Sequence, residues 1–227
     1  MTHRLLLVRH GVTSWNREGR FQGHLDPPLD QAGVREARLL ATRLVREEAG
    51  DVRIVSSPLQ RAMATATRLA ESLAGAGRSP RLSTDARLME IGQGEWEGMT
   101  HVELEEGDPD RYAHWRADRG STQPPGAEPL EDAQLRVAAV IDESTREPSA
   151  VCLVSHGGSL RLAAQHLLGL ELARAWALDV DNASLSRLTR EGGAEEVWRL
   201  EAWNDTGHLL GYAPQHTDEA EGAPLAL

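Results

Sequence analysis

Apolar positions along the chain fall into short runs separated by longer stretches of helical period. Residues 5–8 form an apolar run closed by Arg9-His10-Gly11, the pattern of a buried strand that ends in a loop. Residues 12–28 are polar and Gly-rich and read as a long functional loop. Asp30 then caps a helix that reaches about residue 48, with Val34, Ala37, Leu40, Ala41, Leu44 and Val45 on its apolar face. A second strand is expected at residues 52–55. Ser57 followed by Pro58 reads as an N-cap and first helical position, opening a helix through Leu59, Met63, Ala66, Leu69 and Leu73. A third strand is expected at residues 80–83, then irregular chain at 88–98.

Thr100 and Glu103 have capping-box spacing for one helix running into Trp115. Residues 120–129 form a Pro/Gly-rich loop. Pro129 opens a helix to residue 146 on Leu130, Ala133, Val137, Val140 and Ile141. Residues 150–154 make a fourth strand, ending in Ser155-His156-Gly157-Gly158 and followed by a helix to Leu168. Residues 183–189 and 197–203 flank Glu191-Gly192-Gly193 as a hairpin. Strands alternating with amphipathic helices imply an α/β fold. The expected form is a three-layer α/β/α sandwich whose mostly parallel sheet the hairpin makes mixed. Residues 1–212 are expected to form one domain with a small helical lid insertion at about 99–130, and residues 213–227 a flexible acidic tail.

Composition narrows the chemistry. The formal net charge is −11, a poor basis for binding nucleic acid or anionic lipid. All 24 Lys+Arg residues are arginine, which removes Schiff-base and P-loop lysine chemistry and leaves any anion site to guanidinium groups. The single cysteine, Cys152, lies in an apolar strand and reads as a buried small residue; it excludes an internal disulfide framework. No apolar run approaches the ~20 residues that span a bilayer, and the opening apolar stretch is short for a signal peptide, so a cytoplasmic protein is expected.

In open α/β sheets ligands bind beyond the carboxyl ends of the strands. Three expected strand ends carry unusual residues: Arg9 and His10 after the first, Ser56-Ser57-Pro58 with Arg61 after the second, and His156 after the fourth. Their convergence would make a positive spot suited to a phosphate monoester, with both imidazoles protonatable near neutral pH.

The motifs at these positions resemble those of the histidine phosphatase superfamily, also called phosphoglycerate mutase-like. Leu7-Val8-Arg9-His10-Gly11 with Thr13, Trp15 and Asn16 is similar to the family's opening signature. Phe21-Gln22-Gly23, Asp26, Pro28-Leu29 and Gly33 resemble its phosphate loop. Ser56 to Ala62 resembles its second arginine motif, Leu88-Met89-Glu90-Ile91 its acid motif, and Val154 to Gly158 its second histidine motif. The resemblance implies that His10 is the nucleophile, its ring fixed by a hydrogen bond to a backbone carbonyl. It implies that Arg9, Arg61 and His156 hold the transferring phosphoryl group, with Asn16, Gln22, Gly23 and Gly157 binding substrate. Glu90 is then the general acid and, later, the base toward water. No metal and no cofactor are implied.

The acid motif continues Ile91-Gly92-Gln93-Gly94, whereas the mutase pattern is Glu-Arg-His-Tyr-Gly, and the following segment lacks an adjacent arginine pair. A phosphomonoesterase acting on small phosphorylated metabolites is therefore expected. A cofactor-dependent phosphoglycerate mutase and a phosphometabolite-binding module without turnover are the alternatives. The expected partner is the metabolite, neither nucleic acid nor membrane, with a homodimer left open. The tryptophans Trp96, Trp115, Trp176, Trp198 and Trp203 are expected in the core or pocket wall, with Trp115 contacting the lid.

Overall fold

A computed structural model describes residues 2–48, 50–120, 122–147, 149–191 and 197–211. The acidic tail and the tip of the hairpin lie outside the described residues. Six strands form one sheet: β1 (Thr2–Arg9), β2 (Arg53–Ser56), β3 (Arg81–Thr84), β4 (Ala150–Ser155), β5 (Leu185–Glu191) and β6 (Arg199–Asp205), in the order β3-β2-β4-β1-β5-β6. The first four strands pair in parallel; β5 and β6 are antiparallel, which gives the mixed sheet expected from the hairpin.

The helices are α1 (Ser14–Arg17), α2 (Gln31–Glu47), α3 (Gln60–Gly75), α4 (His101–Gly107), α5 (Pro109–Ala117), α6 (Leu130–Ser144), α7 (Gly157–Leu168) and α8 (Leu172–Ala175). Alternation along β1 divides the core. Leu5 and Leu7 pack with Val137, Ile141, Leu160 and Leu167 from α6 and α7. Leu6 and Val8 pack with Leu40, Leu44, Ala66 and Leu69 from α2 and α3. Each of the leucine, isoleucine and valine side chains among these contributes roughly 1.5–3 kcal/mol of transfer free energy. A separate aromatic cluster of Phe21, Trp96, Tyr112 and Trp115, with Leu104, holds the segment after the acid motif. Trp176, Trp198 and Trp203 pack half-buried against the main core.

Several local expectations change for identifiable reasons. The loop at 12–28 contains α1, closed by a reciprocal capping box between Thr13 and Asn16. Val34 is 39% exposed and off the buried face of α2. The expected single helix into Trp115 is two, α4 and α5. Pro109 has no amide hydrogen to continue the first and disfavours helical geometry at Asp108, which sits at φ −146°, ψ 66°. α6 ends at Ser144, short of residue 146. α3 begins at Gln60 rather than at Pro58: the Ser57 hydroxyl accepts from the Leu59 amide at 3.3 Å, ahead of the helix, and the Gln60 amide donates to Oδ1 of Asp26 at 2.8 Å. Among the described residues no helix is long and apolar enough to cross a membrane.

Candidate active site

The ends of β2, β4 and β1 are neighbours in the sheet, so the expected convergence occurs. His10 follows β1, and its amide donates to the Ser155 carbonyl at 3.1 Å, tying the end of β1 to the end of β4. The imidazole is 2% exposed. Its Nδ1 lies 2.7 Å from the Gly11 carbonyl oxygen, which can only accept, so Nδ1 carries the hydrogen and Nε2 keeps its lone pair. Burial, then Arg61 and Arg9, hold the His10 pKa well below its ordinary value. Gly11 must be glycine here: a Cβ would stand 2.5 Å from the Gly33 carbonyl oxygen in the first turn of α2.

Arg61, near the start of α3, is fully buried, and each nitrogen of its guanidinium donates one hydrogen bond that shapes the pocket, which leaves one hydrogen on each Nη. Nε donates to Nδ1 of His156 at 3.2 Å, Nη1 to the Leu25 carbonyl at 2.8 Å and Nη2 to the Gly23 carbonyl at 2.9 Å. Because Arg61 donates to Nδ1, His156 carries its hydrogen on Nε2, which meets Ser57 Oγ at 2.8 Å. The two imidazoles meet edge to face, their ring centroids 5.0 Å apart and their planes inclined at 60°. Burial and Arg61 lower the His156 pKa well below its ordinary value, as they do for His10. This corrects the expectation of protonatable histidines: with no anion bound both rings are neutral, and the positive charge belongs to the arginines. Arg9 directs Nη1 to the Val180 carbonyl at 2.5 Å. Burial pulls the Arg61 pKa down to about 10, which still leaves it charged near neutrality.

Glu90 is 2% exposed and sits against the first turn of α7. Oε1 accepts from the amides of Ile91 at 2.9 Å and Ser159 at 3.1 Å, and Oε2 from Gly158 at 3.1 Å. Arg136 pins the loop that delivers Glu90, donating to the carbonyls of Arg87, Met89 and Glu90 while pairing with Glu128.

The remaining expected residues lie around this cluster. Asn16 Oδ1 accepts from Thr13 and from Asn182, whose amide also reaches the His10 carbonyl, and Asn16 Nδ2 is buried without a partner. Gln22 Oε1 is likewise buried and unpartnered. Gly23 adopts φ +48°, and a Cβ there would stand 2.1 Å from Glu97 Oε1. Gly157 opens α7 beside Arg9. Residues not foreseen from sequence are Ser57 as the partner of His156, Arg136, Asn182, Ser159 and Arg161. The signal for Arg161 is its spacing, one helical turn after Gly157 on the same face of α7. Cys152 is fully buried, and burial pushes its thiol pKa up to about 12, so it takes no part in nucleophilic chemistry. Among the described residues no group of three or more His, Cys, Asp or Glu side chains is placed to hold a metal ion.

Buried guanidinium groups and paired neutral imidazoles at the carboxyl edge of an α/β sheet define a phosphoryl-handling enzyme. The sequence profile of the histidine phosphatase superfamily (branch 1) matches residues 5–206, and the chain belongs to that family. It is 35% identical over 208 residues to phosphoserine phosphatase 1 of Hydrogenobacter thermophilus, covering 91% of this chain and 94% of the relative. It is 34% identical over 225 residues to glucosyl-3-phosphoglycerate phosphatase of Mycolicibacterium vanbaalenii, covering 91% and 96%. The mycobacterial glucosyl-3-phosphoglycerate phosphatase solved with VO3 superposes with a TM-score of 0.76 at 34% identity, over 89% of this chain and 99% of that one. Bacillus stearothermophilus YhfR superposes with a TM-score of 0.80 at 30% identity, over 91% and 99%. By this membership the protein is a phosphoric monoester hydrolase.

Proposed function

We propose that the protein hydrolyses small phosphorylated metabolites through a phosphohistidine formed on His10. The observation that carries this reading is the Nδ1–H···O=C bond from His10 to Gly11, which presents an unprotonated Nε2 beside two buried arginines. Arg9, Arg61 and His156 hold the phosphoryl oxygens, with Asn16 Nδ2 and the Gln22-Gly23 segment completing the cradle. Nε2 attacks phosphorus in line and the P–O ester bond breaks; the alcohol leaves with a proton from Glu90. Water then attacks the phosphohistidine, gives its proton to Glu90, and inorganic phosphate departs. Two buried cations offset the charge that develops on the transferring group.

The phosphoserine and glucosyl-3-phosphoglycerate phosphatases among its relatives support a small metabolite as substrate. Residues 99–130 serve as the lid within a single domain, and the buried free thiol suits a reducing cytoplasm. The test is rapid alkaline quenching with labelled substrate: the wild-type chain should accumulate a base-stable, acid-labile phosphoenzyme, and His10→Ala should lose both it and turnover. Substantial residual turnover in His10→Ala would end the covalent reading. Isomerisation of 3-phosphoglycerate in the presence of its bisphosphate, without phosphate release, would indicate a mutase.

A further inference from the structure

Arg161 has no task in the mechanism above, yet it is one of the most covered charged groups in the protein, 8% exposed on the inward face of α7. Its Nε donates to the Leu178 carbonyl at 2.8 Å, which fixes the direction of the guanidinium. Its Nη1 is buried without a partner, and among the described residues no carboxylate lies within ion-pair distance. A permanently charged group held out of water in this way is costly unless an anion joins it.

A Cβ built on Gly157 would stand 3.3 Å from Arg161 Nη1 and 3.5 Å from Arg9 Cζ, so the bare glycine lets two guanidinium groups close on the start of α7. The fields acting on His10 and His156 come from Arg61 and Arg9, whereas Arg161 interacts with Arg9, Glu90 and Arg119. Trp176 packs against the Arg161 guanidinium at 5.7 Å, and its Nε1 is a second buried donor with no partner. Trp176 also walls a small cavity with Arg119 and Trp115, directly beside the acid motif.

The geometry points to a second anion subsite in which Arg161, assisted by Trp176 Nε1, binds a carboxylate or second phosphate on the leaving alcohol of the substrate. The preferred substrates are thus phosphomonoesters that carry a further negative group close to the ester oxygen. The inference rests on the phosphatase reading and adds to it a specificity determinant that the phosphoryl transfer itself does not require.

The experiment uses the full chain and a matched pair of substrates, 3-phosphoglycerate and glycerol phosphate, which differ by carboxylate against hydroxymethyl. Wild-type kcat/KM should favour the acid. Arg161→Gln should lower the ratio of acid to alcohol by on the order of 10- to 100-fold, the effect of losing a hydrogen bond to a charged group. Arg161→Lys should recover part of that ratio, and Trp176→Phe should lower it more modestly. An equal fall on both substrates in Arg161→Gln would mean that Arg161 grips the phosphoryl group and would overturn the proposal. A wild-type enzyme that hydrolyses both with no preference for the acid would overturn it even if every variant fails to fold. Absence of phosphate release from either substrate, and from p-nitrophenyl phosphate, would instead remove the phosphatase reading and this inference with it.

Discussion

Arg61 donates Nε–H to Nδ1 of His156 across 3.2 Å, a bond between residues on α3 and at the end of β4 that fixes the tautomer of a buried imidazole. The same guanidinium ties down the carbonyls of Gly23 and Leu25, so one side chain links the phosphate loop, the second histidine and the start of α3. Lysine would keep the charge but lose the planar fork. Arg61→Lys should therefore lower kcat by about 10²–10³-fold, the usual effect of removing one preorganised donor. It should also destabilise the fold by about 1–3 kcal/mol for each buried acceptor left unpaired. Steady-state kinetics and urea unfolding read the two effects separately; near-wild-type kcat would show that charge alone suffices.

Glu90→Gln keeps the size of the side chain but removes the transferable proton and one acceptor from the cradle formed by Ile91, Gly158 and Ser159. Alkyl phosphates, whose alkoxide leaving groups need protonation, should lose about 10²–10⁴-fold in kcat. Hydrolysis of p-nitrophenyl phosphate, whose leaving group departs unprotonated, should suffer far less. Equal losses on both substrates would assign Glu90 to positioning rather than to proton transfer.

Gly158→Ala tests how tightly the acid is seated. The added methyl would stand 2.7 Å from Glu90 Oε1 and 2.8 Å from Ile91 Cδ1, so the acid loop must move. Overpacking of this kind costs about 1–3 kcal/mol, and turnover should fall as Glu90 shifts. Gly75→Ala is the control: a Cβ there meets nothing within 4 Å at the end of α3, and stability should rise by up to about 1 kcal/mol. The two urea midpoints should move in opposite directions.

Stability should decline with acid in two separate windows. His10, His156 and His208 all have folded pKa values below the ordinary 6.5, that of His208 at about 4, chiefly through burial. The unfolded chain binds these protons first, so their contribution is complete above pH 6.5 and is lost progressively as the pH falls toward the folded values. Each of the two fully buried rings adds up to about 1.4 kcal/mol per pH unit. Asp205, held down by its hydrogen bond to Arg43, loses its contribution only as the pH falls below its ordinary value of 3.8. Thermal melting should be flat above pH 7 and fall below 6.5. A midpoint unchanged down to pH 5 would contradict neutral burial of these rings. Inorganic phosphate at saturating concentration should raise the midpoint by mass action and shift the onset of acid loss downward, since an anion stabilises the imidazolium forms.

Much of this was legible in local pattern. The 3.6-residue period of α2, α3 and α6 and the apolar runs of β1 and β4 locate the sandwich layers, because burial acts on stretches long enough to average over single exceptions such as Val34. Of the residues proposed to carry the chemistry, Arg9, His10 and His156 were legible at the ends of strands. The losses came wherever a distant partner outweighs a local rule. Ser57 has the sequence of a cap and its hydroxyl does accept from the Leu59 amide, but it also meets His156, and Asp26, from another segment, receives the Gln60 amide at the start of α3. Arg136 acts through carbonyls remote in sequence, and no pattern on α6 marks it. The charge state of the histidines depends on burial beside arginines, which sequence does not display.

The strand that leads to His10, β1, lies inside the sheet, flanked by β4 in parallel and β5 in antiparallel register, each joined from far along the chain. A chain emerging from the ribosome thus holds His10 without these walls until β4 and β5 have been made. Contacts of such separation form late and slowly. Under the proposed mechanism, catalytic competence therefore arrives only once β5 has been made and has docked on β1, and fragments that end before β5 should be inert toward phosphoesters.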